Sequence, residues 1–561
     1  MSFFDSWFSS KLFQESPSPV ATWKKWVEFS LLVLILFVFA GRAAPGDNEA
    51  HYLCKAKHYW DATFCEGDFF LDTHDTHLVF YWTIGLCTTI FSLETTAWIG
   101  RILSWLLLAH AWQRLNRQMR FPAGLSVLTL GLFMGILSRY HMAGEWVIGG
   151  IEAKCFAYIF LLYGLEAILA NRWKIAWPLL GIASAWHVVV GGWGAIAAFA
   201  VWGIAGRREI SFPKMLPSLL LGGVFSLGGL LPAIEMSGGE TAETLLTAYR
   251  IQVYERLPHH LLFSKMPSHH VLRQAVLVAI WGILTCLFFQ GESKNISEEI
   301  RFKVKRLTLF TGATLGITFA GICIDKFLAD RSWLEVNLLR FYWFRLSEVI
   351  VSMQVGLLMP IVAFLYGTKW PRAQRVAWGI LLFTGVYVIS GPVYENWRDP
   401  RPKSIAQGQG RIANDPKGYD RQISQAASWR ATCQWIDNNI PNDSLILTPR
   451  HQQTFKWYAK RAEVVTYKDM PQDPTAVLEW KSRVQATLWC GPEGGAWHTL
   501  GDEKLRVLLK KYECDYFLLD KTRHDTIVPT TFKQIYPKKG KTENKDYALY
   551  LAIPDRFNMS R

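Results

Sequence analysis

The feature that most constrains this chain is a series of apolar runs long enough to cross a lipid bilayer. In hydrocarbon, backbone N–H and C=O groups must be satisfied within the segment itself, so such runs fold as helices. A span needs about 20 residues. Runs of this kind recur from Trp26 to about residue 392 of a 561-residue chain in which charged residues make up only 19%. A soluble chain of this size carries more charge. The fold class expected is mainly α: a polytopic transmembrane helical bundle, followed by a polar C-terminal α/β domain.

Basic loops assign the sidedness. Short cytoplasmic loops are enriched in Lys and Arg. Residues 1–25 carry Lys11, Lys24 and Lys25 and read as a cytoplasmic start. Eleven spans are expected, at about 26–43, 95–112, 122–138, 146–170, 174–187, 190–205, 213–234, 269–290, 306–325, 345–366 and 374–392. The run 78–92 (LVFYWTIGLCTTIFS) is short and rich in aromatics and Thr, so it reads as an interfacial or re-entrant helix. Leaving it out of the count keeps the basic loop with Arg114, Arg117 and Arg120 inside. The region 174–205 is interrupted by Gly191, Gly192 and Gly194 and could equally be one bent hairpin. The formal charge of +14 is explained largely by these loops, and no nucleic-acid motif is present.

The first external loop, 44–94, holds the unusual chemistry. Its stretch PGDNEAHYLCKAKHYWDATFCEGDFFLDTHDTH (45–77) gathers seven carboxylates with His51, His58, His74 and His77. Carboxylates and imidazoles beside a membrane suit acid/base or metal chemistry. A solvated loop kept out of the bilayer by its charge is the plainer alternative. In an extended loop Asp47 and Glu49, two residues apart, would share a face, so one could act as general base and the other as orienting group or metal ligand. Asp72, His74, Asp75 and His77 are weak candidates to hold a divalent metal ion, the only cofactor the pattern suggests. Cys54 and Cys65 share the loop and could pair if it faces an oxidising compartment.

Other polar residues fall on the same expected outer face: Arg139, His141 and Glu145; Glu235 to His270; Asp325 to Arg345. Glu152 and Lys154 lie inside an expected span near that face, either lining a cavity or packed as an ion pair. His259 and His260 follow the helix-breaking Pro258 and are candidate phosphate contacts. Arg340 has no evident local partner, whereas Arg345 and Glu348 are three apart on a helix and could neutralise each other. Residues 393–423, polar and rich in Pro, Gly and Arg, read as a linker or a loop lying on the membrane face. Residues 424–561 alternate helical stretches with short apolar strands (SLILT at 444–448, YFLL at 516–519), the pattern of a small α/β sandwich. No Gly-rich phosphate loop occurs there.

These features resemble the C-type glycosyltransferase superfamily. The likeness rests on GDNEAHY at 46–52, the interfacial helix at 78–92, and a tail opening WRATCQWIDNNIPNDSLILTP at 429–449. The tail, with FKWYAKRAEVV at 455–465, also resembles a group of uncharacterised bacterial multi-pass proteins. The resemblance implies transfer of a sugar from a polyprenyl-phosphate-linked donor to an extracytoplasmic acceptor by inverting displacement. It places the protein in a bacterial inner membrane with its C-terminal domain outside, its partners membrane lipids and the lipid-phosphate-linked sugar. It aligns Asp47 with the catalytic acidic position and Glu49 with its companion. By location, Arg340, Arg345, His259 and His260 would meet the lipid phosphate, with Lys154 and Glu152 nearby. The chain departs from the pattern in lacking a WWD-type acceptor motif. A transporter path through Glu152, Lys154 and Glu166, a non-catalytic assembly factor, and a binding protein working through its tail are the rival readings.

Overall fold

The structure, a computed structural model, describes residues 21–122, 124–291, 296–328, 331–367, 371–449, 453–489, 496–538 and 544–552. The first twenty residues of the expected cytoplasmic start, and Lys294 and Lys369 of the basic loops, lie outside them.

The membrane part opens with α1 (Thr22–Ala40), α2 (Glu49–Trp60), the short α3 (Leu78–Trp82), α4 (Leu93–Gln118), α5 (Leu125–Arg139) and α6 (Ala153–Leu169). Next come α7 (Trp173–Trp186), α8 (Val188–Val201), α9 (Phe212–Glu235), α10 (Ala242–Arg250), α11 (Pro258–Leu261) and α12 (Ser268–Gln290). The bundle closes with α13 (Glu298–Phe327), α14 (Trp333–Leu339), α15 (Arg345–Gly367) and α16 (Pro371–Arg398). Among the described residues, six helical segments are long and apolar enough to cross a membrane: Val188–Gly206, α9, α12, α13, Arg345–Tyr366 and Arg375–Arg398. The other five expected spans correspond to α1, α4, α5, α6 and α7, which are helical but shorter or less apolar. The run 78–92 breaks into α3 and a 3-10 turn at Gly85–Thr89, so it does not form a continuous spanning helix.

α15 is the central helix, buried along most of its length, while α9, α12 and α16 expose most of theirs. The glycines of α8 do not interrupt it. The break falls at His187, which joins α7 to α8 as a single extended residue. The glycine serves close approach instead: a Cβ on Gly191 would meet the backbone N of Ser184 at 2.1 Å. The same holds between α7 and α9, where a Cβ on Gly181 would meet the carbonyl oxygen of Gly222 at 2.1 Å.

The span expected from residue 146 starts only at Ala153. Residues 140–152 run instead as irregular chain held by two buried carboxylates. Glu348 accepts the N–H groups of Met142 (2.6 Å), Ala143 and Glu145 (2.9 Å), and Glu49 accepts that of Ile151 (2.8 Å). Non-helical backbone survives inside a bundle where protein groups replace its lost hydrogen bonds.

The segment 393–423 is no loose linker. α16 continues to Arg398, α17 covers Lys403–Gln409, and α18 covers Pro416–Asn439. The prolines and glycine that suggested a loop are helix punctuation: Pro402 precedes α17, Pro416 opens α18, and Gly410 leaves α17 at φ +83°. Beyond lie β1 (Leu445–Leu447), α19 (Phe455–Ala459), β2 (Ala462–Glu463), α20 (Pro474–Leu488), α21 (Asp502–Lys511), β3 (Tyr516–Asp520), β4 (Lys533–Tyr536) and β5 (Tyr547–Leu551). The sheet order is β2-β1-β3-β5-β4, with β1 parallel to β2 and β3, and β5 antiparallel to β3 and β4. Alternation sends Phe517 and Leu519 to the face covered by α20 and α21, and Tyr516 and Leu518 to the face covered by α18 and α19. Ala248 of α10 and the following Ile251 join the first of these cores, which docks the α/β domain onto the membrane part.

Candidate functional site

Glu49 opens α2 and is fully buried. Its carboxylate receives a two-pronged ion pair from Arg101 of α4, at 2.6 Å on each oxygen, and the N–H of Gly46 at 2.5 Å. With Ile151 N–H added, every face of this carboxylate is occupied. Glu49 is therefore the anchor that shapes the 45–49 turn, and the expected role as Asp47's catalytic companion is corrected. Because α2 begins at Glu49, the two acids do not share a face of extended chain.

Asp47 is buried and projects differently. Its Oδ2 meets Lys403 Nζ at 2.5 Å and its Oδ1 receives Gln407 Nε2, both from α17. Its carbonyl accepts Gln453 Nε2 at 3.1 Å and Lys468 Nζ at 2.8 Å. The so-called linker and the α/β domain thus close over the first loop.

Asn48 continues the chain of contacts. Its amide donates to Glu152 at 3.0 Å. Lys154 lies 3.2 Å from both Glu152 and Glu145 and sits over the Trp146 ring. Glu145 also faces Arg345 at 3.1 Å. Neither oxygen of Glu145, nor Glu152 Oε1, nor Arg345 Nε completes a hydrogen bond in good geometry, although all four are buried. Glu145, Tyr158, His187, Trp193, Tyr342 and Arg345 line a small cavity there. Arg345 is thus paired with Glu145, and Glu348, expected to neutralise it, holds the 142–145 backbone instead.

His260 donates its Nδ1–H to the Ala143 carbonyl, 2.6 Å away, and lies tilted against the His259 ring, 4.0 Å between centroids. Burial pushes His260 down to about 2, and lowers His259 with help from Arg256 and Arg345. Arg340 lies against the Tyr249 and Phe341 rings, at 4.1 and 4.8 Å. No contact among the described residues links it to Asp47 or Lys154.

Two further cations lie where the membrane part meets the α/β domain. Arg256 lies over the Tyr467 ring at 4.7 Å and donates to the Lys468 carbonyl at 3.4 Å. Lys468 reaches Asp47 O and, at 2.6 Å, Gln407 Oε1. Neither makes an ion pair with a carboxylate among the described residues. Burial lowers the pKa of both, with neighbouring acids and tyrosines opposing. Half-buried cations that no carboxylate contacts directly favour an incoming anion. The hydropathy pattern could not reveal them, because Lys468 lies in the other domain, in a polar stretch without motif.

The next residue, Asp469, contacts His51 Nδ1 at 3.0 Å through Oδ1 and Lys456 Nζ at 3.0 Å through Oδ2. Lys456 also meets Glu463 at 2.6 Å and Asp68 at 3.6 Å. This cluster, buried except for the partly exposed His51, joins the first loop to α19 and β2.

The candidate metal ligands do not fit a divalent ion. Asp72 pairs with His58 at 3.0 Å, Asp75 with Lys55 at 3.6 Å, and His77 with Tyr52 at 3.3 Å. His74 is exposed at the rim of an open cleft of about 600 Å³ between the first loop, the end of α9 and the start of α20. No group of three or more potential ligands gathers among the described residues. Cys54 and Cys65 are buried free thiols. Glu166 is closed off at the other end of α6 by Arg114 (3.3 Å), Arg172 and Gln118 (2.7 Å), so it does not extend a polar path from Lys154.

Among curated proteins no sequence matches. Residues 427–487 match a family described as a domain of unknown function (DUF6798). Among solved structures, the chain is similar to the Archaeoglobus fulgidus oligosaccharyltransferase in complex with Zn and sulfate. That match has 12% identity and a TM-score of 0.42, and covers 88% of this chain and 68% of that one. It is also similar to ArnT from Cupriavidus metallidurans bound to undecaprenyl phosphate, with 12% identity and a TM-score of 0.37, over 95% of this chain and 99% of that one.

Proposed function

We propose that the chain is a membrane glycosyltransferase of the C type, moving a sugar from a polyprenyl-phosphate-linked donor to an acceptor on the extracytoplasmic side. The observation that carries this reading is the placement of Arg256 and Lys468. They are two half-buried cations without carboxylate partners among the described residues, Lys468 on the Asp47 carbonyl and Arg256 on that of Lys468, at the junction of an apolar bundle with a polar domain. An amphiphile whose phosphate joins a lipid to a sugar suits such a junction: hydrocarbon against the bundle, phosphate at the cations, sugar toward the α/β domain.

The chemistry follows from that seating. Arg256 and Lys468, with Arg345 and Lys154 behind them, stabilise the negative charge that grows on the leaving phosphate. Asp47 sits where the acceptor and the anomeric carbon would meet. Its contacts with Lys403 and Gln407 hold the carboxylate in place and tie its position to docking of the α/β domain. Inversion requires the acceptor to approach from the side opposite the phosphate, and hence from that domain.

The test is extraction of lipid-linked sugars from cells with and without the protein. Accumulation of one polyprenyl-phosphate-linked species on deletion, reversed by the wild-type chain, is the expected result. Unchanged lipid-linked sugars, together with no binding of undecaprenyl phosphate by the purified protein, would remove the reading.

A further inference from the structure

We infer that His51, oriented by Asp469, is the group that takes the proton from the acceptor hydroxyl; this rests on the transferase reading of the site. His51 lies one helical turn beyond Asp47, in the first turn of α2. Its Nδ1 is 3.0 Å from Asp469 Oδ1. Nε2 has no protein partner among the described residues, and the side chain keeps 21% of its surface exposed. The Phe70 ring packs against the imidazole, tilted by 35° with its centroid 4.5 Å away.

An anion at Nδ1 fixes the tautomer. Asp469 is that anion: although burial opposes its charge, Lys456 and His51 hold it well below the usual carboxylate range. The proton of a neutral His51 then sits on Nδ1 and the lone pair on Nε2. A base oriented by a third group recurs wherever a hydroxyl must be activated. Asp47 is less free to do so, because both of its oxygens are already met by α17. The remaining charged and titratable neighbours are His77 and Tyr52 from the first loop, Lys456 behind Asp469, and Lys468 beside it in sequence.

The step balances within this set. The acceptor hydroxyl gives its proton to His51 Nε2. The oxygen's electron pair forms the new bond to the anomeric carbon. The bond from that carbon to the phosphate oxygen breaks, and its electron pair leaves with the lipid phosphate toward Arg256 and Lys468. Asp469 stabilises the imidazolium, which returns its proton to water.

The experiment uses full-length protein in phosphatidylethanolamine/phosphatidylglycerol vesicles. The donor is the lipid-linked sugar fraction from cells lacking the protein, and undecaprenyl phosphate is the binding probe. His51→Gln should keep undecaprenyl phosphate binding, lose about 10²–10⁴-fold in kcat, and lose the rise of kcat with pH that the wild type shows. Added imidazole should restore His51→Gly. Asp469→Asn should lower kcat and displace the pH profile with little change in KM. An unchanged rate and pH profile in His51→Gln, or a His51→Gly defect that imidazole does not relieve, would overturn the role of His51 while leaving the transferase reading intact. A wild type that neither binds the probe nor turns over the donor would overturn both.

Discussion

Lys468 donates to the carbonyl of Asp47 at 2.8 Å across 421 positions of sequence, joining the α/β domain to the loop that follows the first helix. With Gln453 on the same carbonyl and Asp469 on His51, that contact makes the site a product of two domains. The α/β domain is thereby a wall of the pocket, and its loss should remove function as well as stability.

Removing either unpaired cation should weaken anion binding. A hydrogen bond to a charged group contributes about 1.5–3 kcal/mol. Lys468→Ala or Arg256→Ala is therefore expected to weaken binding of undecaprenyl phosphate about 10- to 100-fold. Titration of the purified variants in nanodiscs measures this. Arg340→Ala, by contrast, should bind as the wild type does.

Asp47→Asn should abolish sugar transfer with expression and thermal stability close to wild type, since the amide keeps the shape of the side chain. Transfer is read as turnover of the lipid-linked donor in membranes carrying equal amounts of each protein. Undiminished turnover would remove Asp47 from the reacting centre.

Glu49→Gln should behave in the opposite way. It leaves the buried Arg101 without its counter-charge, and breaking a buried pair from one side costs about 3–5 kcal/mol. The expected outcome is a lower midpoint of thermal unfolding in detergent and poor expression. If the variant folds normally and loses only turnover, the anchoring role assigned to Glu49 is wrong.

The cluster around Lys456 predicts a pH dependence of stability. Burial, opposed by Lys456, raises Glu463 from 4.5 to about 7. A carboxyl with a raised folded pKa binds more protons folded than unfolded in the window between those values. Stability is therefore fullest below about 4.5 and falls as pH rises toward 7. Asp469 works in the other direction, its contribution being lost only in stronger acid, below its unfolded pKa. Glu463→Gln should flatten the slope between pH 4.5 and 7, as read from unfolding midpoints across that range.

Much of the architecture was legible because its causes are local. Apolar runs specify helices wherever they occur, and alternating apolar residues specify strands such as Tyr516–Asp520. The first loop could be singled out from residue types alone. Pairings could not be. Glu348 lies one turn from Arg345, yet it turns away to the backbone of residues 142–145, since those buried N–H groups have no other acceptor. Arg340 looked free and instead packs on Tyr249.

The sequence by itself determined a helical membrane bundle, an acidic loop after its first helix and a mixed α/β tail, because hydrophobic periodicity and charge are properties of neighbouring residues. Only the tertiary structure decided that Lys403, Gln407 and Lys468 meet Asp47, and that Asp469 meets His51. Buried charge must find a partner wherever the fold brings one, and that requirement acts through space, with no trace in local spacing.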